Sequence, residues 1–160
     1  IVSVDVGAFY GGFHGDNAFT FPCGKISADA QALLDATKES LYEGIKQALA
    51  FNRVGDIGNA VQKYVEARSY SVVRDFVGHG VGAKLHEDPS VPNYGTPGRG
   101  VRLLPGMTIA IEPMVTQGSC EVKILKDGWT TVTKDGKLAA HFEHSIAITP
   151  DGPVILTSLD

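Results

Sequence analysis

The run Ile1-Val2-Ser3-Val4-Asp5-Val6 reads as a buried strand, and residues 1–7 and 13–21 form two expected strands joined through Gly11-Gly12. Between Ser27 and about Asn52, Ala30, Leu33, Leu34, Leu41, Ile45, Ala48 and Leu49 recur at helical spacing, with Ser27 as the N-cap. A second helix is expected from about Asp56, a further cap candidate, to about Arg68, with Ile57, Ala60, Val61, Tyr64 and Val65 on one face. A short strand near Val72 then leads into the glycine-rich run Val77-Gly78-His79-Gly80-Val81-Gly82. Residues 87–106 carry Pro89, Pro92, Pro97 and Pro105 and read as loop. From Met107 the pattern is β, over 107–115, 121–126, 129–133, 140–149 and 153–157, with tight turns at Asp127-Gly128 and Asp135-Gly136. Strands, two helices and strands again predict a single α+β domain over 1–160, its helices packed on one face of a curved antiparallel sheet.

Composition adds exclusions. A length of 160 residues with 43% hydrophobic positions supports a sizeable core. A net charge of −4 without a run of Lys and Arg gives no footprint for nucleic acid, and no apolar stretch is long enough to span a bilayer as a helix. Cys23 and Cys120 lack CxxC partners and read as structural thiols in a reducing compartment, which points to the cytoplasm. The chain opens inside a strand without Met or a cap, so a segment upstream of Ile1 is expected.

The chemistry is concentrated in Asp5, Asp16, His79, Glu112 and Glu143. The four carboxylates lie in stretches that otherwise read as core, where an unpaired charge costs on the order of several kcal/mol. Too few basic residues stand near them to pair all four, so a metal centre is the cheaper explanation. A two-residue turn at Tyr10-Gly11 would set Asp5 directly opposite Asp16, and one at Gly11-Gly12 would make them diagonal neighbours. A three-residue turn would put them on opposite faces. Four oxygen donors and one imidazole suit two divalent ions such as Co, Mn, Fe or Zn, rather than a Cys-rich structural zinc. Alone, each residue has an ordinary structural explanation; the set does not. His14 and His141 share strand parity with a ligand and could support one from behind, whereas His144 points away from the Glu143 face.

The segment Asp5 to Asp16, with Gly12-Phe13-His14-Gly15-Asp16, resembles the paired-aspartate hairpin of the methionine aminopeptidases. Gly78-His79-Gly80-Val81-Gly82 with Leu85-His86-Glu87 resembles their histidine loop, and Ile111-Glu112-Pro113-Met114 and Phe142-Glu143-His144-Ser145 resemble their two glutamate strands. Prolidases and aminopeptidases P carry different residues around both glutamates, and type II enzymes carry a helical insertion for which there is no room, so type I is the better match. The resemblance implies the pita-bread fold and hydrolysis of the N-terminal methionine of nascent polypeptides by metal-activated water. It implies Asp16 and Glu143 as bridging ligands, Asp5 on one metal, and His79 with Glu112 on the other. Glu112 would pass protons and His86 would hydrogen-bond the scissile amide. Leu85, where many members have an aromatic, and Trp129 would line the substrate pocket. The family's further substrate-contacting His and Cys-Tyr pocket wall, upstream of the first aspartate, have no counterpart here. The working unit would be a monomer, with the ribosome as a further partner to consider and no membrane or nucleic-acid contact. The alternatives are a non-catalytic pita-bread module that binds peptides or proteins, and an inactive fragment of the enzyme.

Overall fold

The computed structural model describes residues 1–158. The first two strands, β1 (Val2–Tyr10) and β2 (Phe13–Phe21), form a hairpin in which Tyr10 faces Phe13 across Gly11 and Gly12. Both glycines adopt positive φ, 59° and 91°, as a two-residue turn of this kind requires. Asp5 pairs with Ala18 and Asp16 with Gly7, which selects the diagonal arrangement of the two aspartates on one face.

Helix α1 (Ala28–Ile45) begins where expected, with the Ser27 hydroxyl accepting from Ala30 N at 3.1 Å. It ends seven residues before Asn52. Gln47 N and Ala48 N bond three residues back, and Asn52 Nδ2 donates to Gln47 O, so the chain tightens and turns away while Ala48 stays fully buried. The apolar period thus outlasts the helix. Helix α2 (Val54–Glu66) starts two residues before Asp56, because Asp56 is not the cap residue. It occupies the third helical position and accepts from Arg53 N at 2.8 Å with one oxygen and from Gly98 N with the other.

The remaining strands are β3 (Ser71–Val72), β4 (Gly78–Gly80), β5 (Glu87–Val91), β6 (Thr108–Ile111), β7 (Met114–Thr116), β8 (Val122–Ile124), β9 (Thr131–Thr133), β10 (Ala139–His141), β11 (His144–Thr149) and β12 (Gly152–Ile155). They form antiparallel sheets in the orders β12-β11-β6-β4-β5 and β10-β7-β3, and β8 pairs with β9. Strand β5 lies in the stretch expected to be loop: Glu87 and Val91 pair with β4 although Pro89 and Pro92 interrupt the donors, as an edge strand permits. Leu33, Leu41 and Ile45 of α1 and Ile57, Val61 and Val65 of α2 share one core with Val91, Ile109, Ile111, Val115, Phe142 and Ile146 of the sheets.

Two long strands expected in the C-terminal half are each broken. Glu112-Pro113 separates β6 from β7, and Phe142-Glu143 separates β10 from β11. The breaks face each other, with Phe142 N donating to Pro113 O at 3.4 Å. Ile111 pairs with His144 on one side and Met114 with His141 on the other, so no residue is gained or lost and Glu112 stands opposite Glu143. Strand β1 is also unlike its expectation: Val2, Val4 and Val6 are 50%, 44% and 55% exposed. Among the described residues β1 pairs only with β2.

Candidate metal centre

Backbone pairing and side-chain hydrogen bonds bring the five expected residues together. Strand β2 lies against β10 and β11: Glu143 N donates to Ala18 O at 2.8 Å, and the Ser145 hydroxyl accepts from Asp16 N at 2.9 Å and donates to Asp16 O at 2.8 Å. Thr20 Oγ1 in turn accepts from His141 N and donates to His141 O. Asn17 Nδ2 donates to Glu143 O, and Asn93 Nδ2 donates to Glu112 O at 3.0 Å. Ser145, Thr20, Asn17 and Asn93 were not singled out from the sequence. Their signal was weak: small polar residues at buried or half-buried positions, whose partners lie 121 to 129 residues away for the first three.

His79 is presented by β4, whose flanking glycines are obligatory. A Cβ on Gly78 would collide with Ala110 O, and one on Gly80 with Asp88 O, because β4 is squeezed between β6 and β5. His79 Nδ1 lies 2.9 Å from Gly80 O and donates to it, which leaves the Nε2 lone pair for a metal. That Nε2 is 3.3 Å from Glu112 Oε1 and 3.6 Å from Asp16 Oδ2. The other Glu112 oxygen, Oε2, lies 3.6 Å from His141 Nε2.

Among the described residues three donor groups result, each with its atoms within 4.8 Å of one another: Asp5, Asp16 and Glu143; His79, Glu112 and Glu143; and Asp16, His79 and His86. Glu143 belongs to the first two and Asp16 to the first and third. Together with Phe76, Val77 and His86, the five residues line a cavity of about 180 Å³. His86 is exposed, its ring 4.2 Å from that of His79.

The electrostatics of this cavity call for a cation. Glu143 is 2% exposed, and its Oε1 is buried without a hydrogen-bond partner. Burial first, then the neighbouring Glu112, Asp16 and Asp5 charges, push its carboxyl up to about 9. Asp16 is also raised, by burial and by Asp5, with His79 acting in the opposite direction. Among the described residues the ion-pair contacts of these carboxylates are with imidazoles, not with Lys or Arg. Carboxylate oxygens crowded around one buried orphan, with a single imidazole of fixed tautomer, fit hard or borderline divalent cations.

The residues expected to meet substrate are placed differently from one another. Leu85 is half-buried, and a Cβ on Gly7 would sit 3.1 Å from its Cδ1, so it lies over the aspartate hairpin. Trp129 departs from the expected strand 129–133, since β9 begins at Thr131. Asp127 accepts from Trp129 N and Thr130 N, holding Trp129 in the turn before β9, where it is 88% exposed. A second cavity of about 200 Å³, largely apolar, is lined instead by Val73, Phe76, Met114, Val122, Thr131 and His141 among others. Phe76 borders both cavities. His14 pins the histidine loop, with its backbone N donating to Gly82 O at 2.7 Å and its Nδ1 3.2 Å from the same oxygen. His144 lies 3.0 Å from Asn17 Nδ2 and 2.8 Å from the Thr157 hydroxyl, off the centre as expected. Cys23 and Cys120 are free thiols.

The model of metallopeptidase family M24 matches residues 1–150. A methionine aminopeptidase of Clostridium perfringens is 59% identical over 98% of this chain and 63% of its own length. The crystal structure of methionine aminopeptidase from Thermotoga maritima superposes with a TM-score of 0.95 at 51% identity, covering 98% of this chain and 63% of that one. A prolidase from Pyrococcus furiosus, 20% identical with a TM-score of 0.75, shares the fold alone. The pita-bread architecture is therefore the fold of this chain, which spans just under two thirds of the length of the methionine aminopeptidases it matches. With its family model covering nearly every residue and its five donors assembled in one cavity, the chain belongs to metallopeptidase family M24.

Proposed function

We propose that this chain is the metal-binding part of a methionine aminopeptidase, hydrolysing the N-terminal methionine from nascent proteins and peptides. The observation that carries this reading is Glu143, a buried carboxylate shared by two donor groups. Asp16 and Glu143 would bridge two divalent ions, with Asp5 on one and His79 and Glu112 on the other. Co, Mn, Fe and Zn all suit such a donor set. When bound, such a pair of cations supplies a water acidic enough to attack near neutral pH and a counter-charge for the carbonyl oxygen.

The chain's own groups supply the rest. Glu112 is half-buried at the cavity, where its carboxylate can take and return the protons of the attacking water. His86, exposed beside His79, donates to the scissile amide and steadies the charge that develops there. Asp5 is exposed on β1, so the substrate's free amino group approaches from its side. The apolar cavity beyond Phe76 is suited to an unbranched apolar side chain, while Leu85, over the aspartate hairpin, and Trp129 would be further substrate contacts. The methionine preference rests on what the relatives are called. The cytoplasm, where nascent chains emerge and free thiols persist, is the location that goes with this reading, with a monomer as the working unit and the ribosome as the source of substrate.

The test is release of Met from a Met-Ala-Ser peptide by metal-free protein titrated with Mn(II) or Co(II). It is run on this chain and on a version extended at its N-terminus to the relatives' length. Metal-dependent release by the extended version supports the reading. Silence in both, with metal demonstrably bound, replaces it with a peptide-binding module.

A further inference from the structure

His141 is not among the expected metal ligands, yet it is aimed at one of them. It is the last residue of β10, paired with Met114, which makes it a diagonal neighbour of Glu112 across the break in the strands. Its Nε2 is buried and has no hydrogen-bond partner, and Glu112 Oε2 lies 3.6 Å from it. His141 also lines the largely apolar cavity of Val73, Met114 and Val122. The two Glu112 oxygens are thus divided between two imidazoles: Oε1 beside His79 Nε2 and Oε2 beside His141 Nε2. A buried N–H donor left unmade is costly, and a small rotation of either side chain closes 3.6 Å to an ordinary bond.

We infer that His141 is a positioning residue for Glu112: its Nε2–H donates to Oε2, so that Glu112 offers Oε1 alone to the metal it shares with His79. This rests on the metal-centre reading above. The support acts from behind the ligand, holding the carboxylate plane and preventing it from chelating with both oxygens. The main chain of His141 is held independently by Thr20 Oγ1, so substitutions of the ring leave β10 anchored.

The experiment is Co(II) binding to the metal-free chain by calorimetry, together with the visible absorption of the bound ion, for wild type, His141→Leu and His141→Gln. The leucine variant is expected to bind Co(II) about 10–100-fold more weakly, the usual loss when a ligand's supporting partner is removed, with a changed absorption spectrum. The glutamine variant keeps an N–H donor and is expected to retain the wild-type spectrum and an affinity within a few fold. If the leucine variant does not fold, His141→Met takes its place as the donor-less side chain. Unchanged affinity and spectrum without the donor would overturn the inference, and so would a glutamine variant as impaired as leucine. Wild type that binds no Co(II) would instead sink the metal-centre reading, and this inference with it.

Discussion

Replacing Glu143 by Gln in the metal-free protein separates the electrostatic cost of the site from its purpose. The folded chain holds the Glu143 carboxyl up to about 9, against an ordinary value of 4.5. The unfolded chain ionises it at the ordinary value, so the folded state binds the extra proton between the two. Stability contributed by the protonated form is complete below pH 4.5 and is lost as pH rises towards 9. Each pH unit in that window costs about 1.4 kcal/mol, so the loss reaches roughly 3 kcal/mol by pH 7 and roughly 6 kcal/mol by pH 9. Glutamine has nearly the same shape and no charge, and it escapes this penalty. Urea denaturation in the presence of a chelator, at pH 5, 7 and 8.5, should show E143Q gaining over wild type as pH rises, with near equality at pH 5. Excess Co(II) should reverse the order at pH 7, because the ion stabilises only a folded state that holds the bridging carboxylate. A stability gap independent of pH, or a wild type that strengthens as pH rises relative to E143Q, would refute the argument that burial and like charge govern this residue.

Three further outcomes are expected. His86→Ala in the extended, metal-loaded protein should slow turnover by roughly 10²–10³ while Co(II) titration remains as in wild type; loss of the metals would make His86 a ligand. Gly78→Ala should destabilise by about 3 kcal/mol or more, since the added methyl meets the Ala110 carbonyl. Gly15→Ala, with open space around it, is the matched control, and equal urea midpoints for the two would contradict the crowding at β4. Ser27→Ala should cost about 1 kcal/mol through loss of the bond from Ala30 N, read as a lower melting temperature with unchanged metal binding.

Much of the centre was legible because carboxylates inside apolar runs break a strong pattern. Asp16 and Glu143, now at 6% and 2% exposure, were visible for that reason. The register of Asp5 and Asp16 was narrowed to alternatives and decided only by the Gly11-Gly12 turn. What the pattern could not show was where strands end. Residues 107–115 and 140–149 each read as one strand with a carboxylate inside it, and the interruptions at Glu112-Pro113 and Phe142-Glu143, which lie opposite each other, are visible only in the paired segments. Strand β1 reads as buried and is exposed among the described residues, because hydropathy reports which positions are apolar without saying what covers them. The start of β9 after Trp129 is likewise set by the local Asp127 turn, which hydropathy does not report.

The facing breaks also constrain how this part of the chain can change. Inserting or deleting one residue at Glu112-Pro113 would slide β7 against β10 and turn Met114 and its neighbours to the other face, while β6 stayed in place on β11. Only a matching length change at Phe142-Glu143 could restore both ladders, and it would have to arise together with the first. Variation in length is therefore free only outside this pair, for instance in the exposed turn between β8 and β9. A library that randomises loop length should find its survivors there and none at the two glutamates.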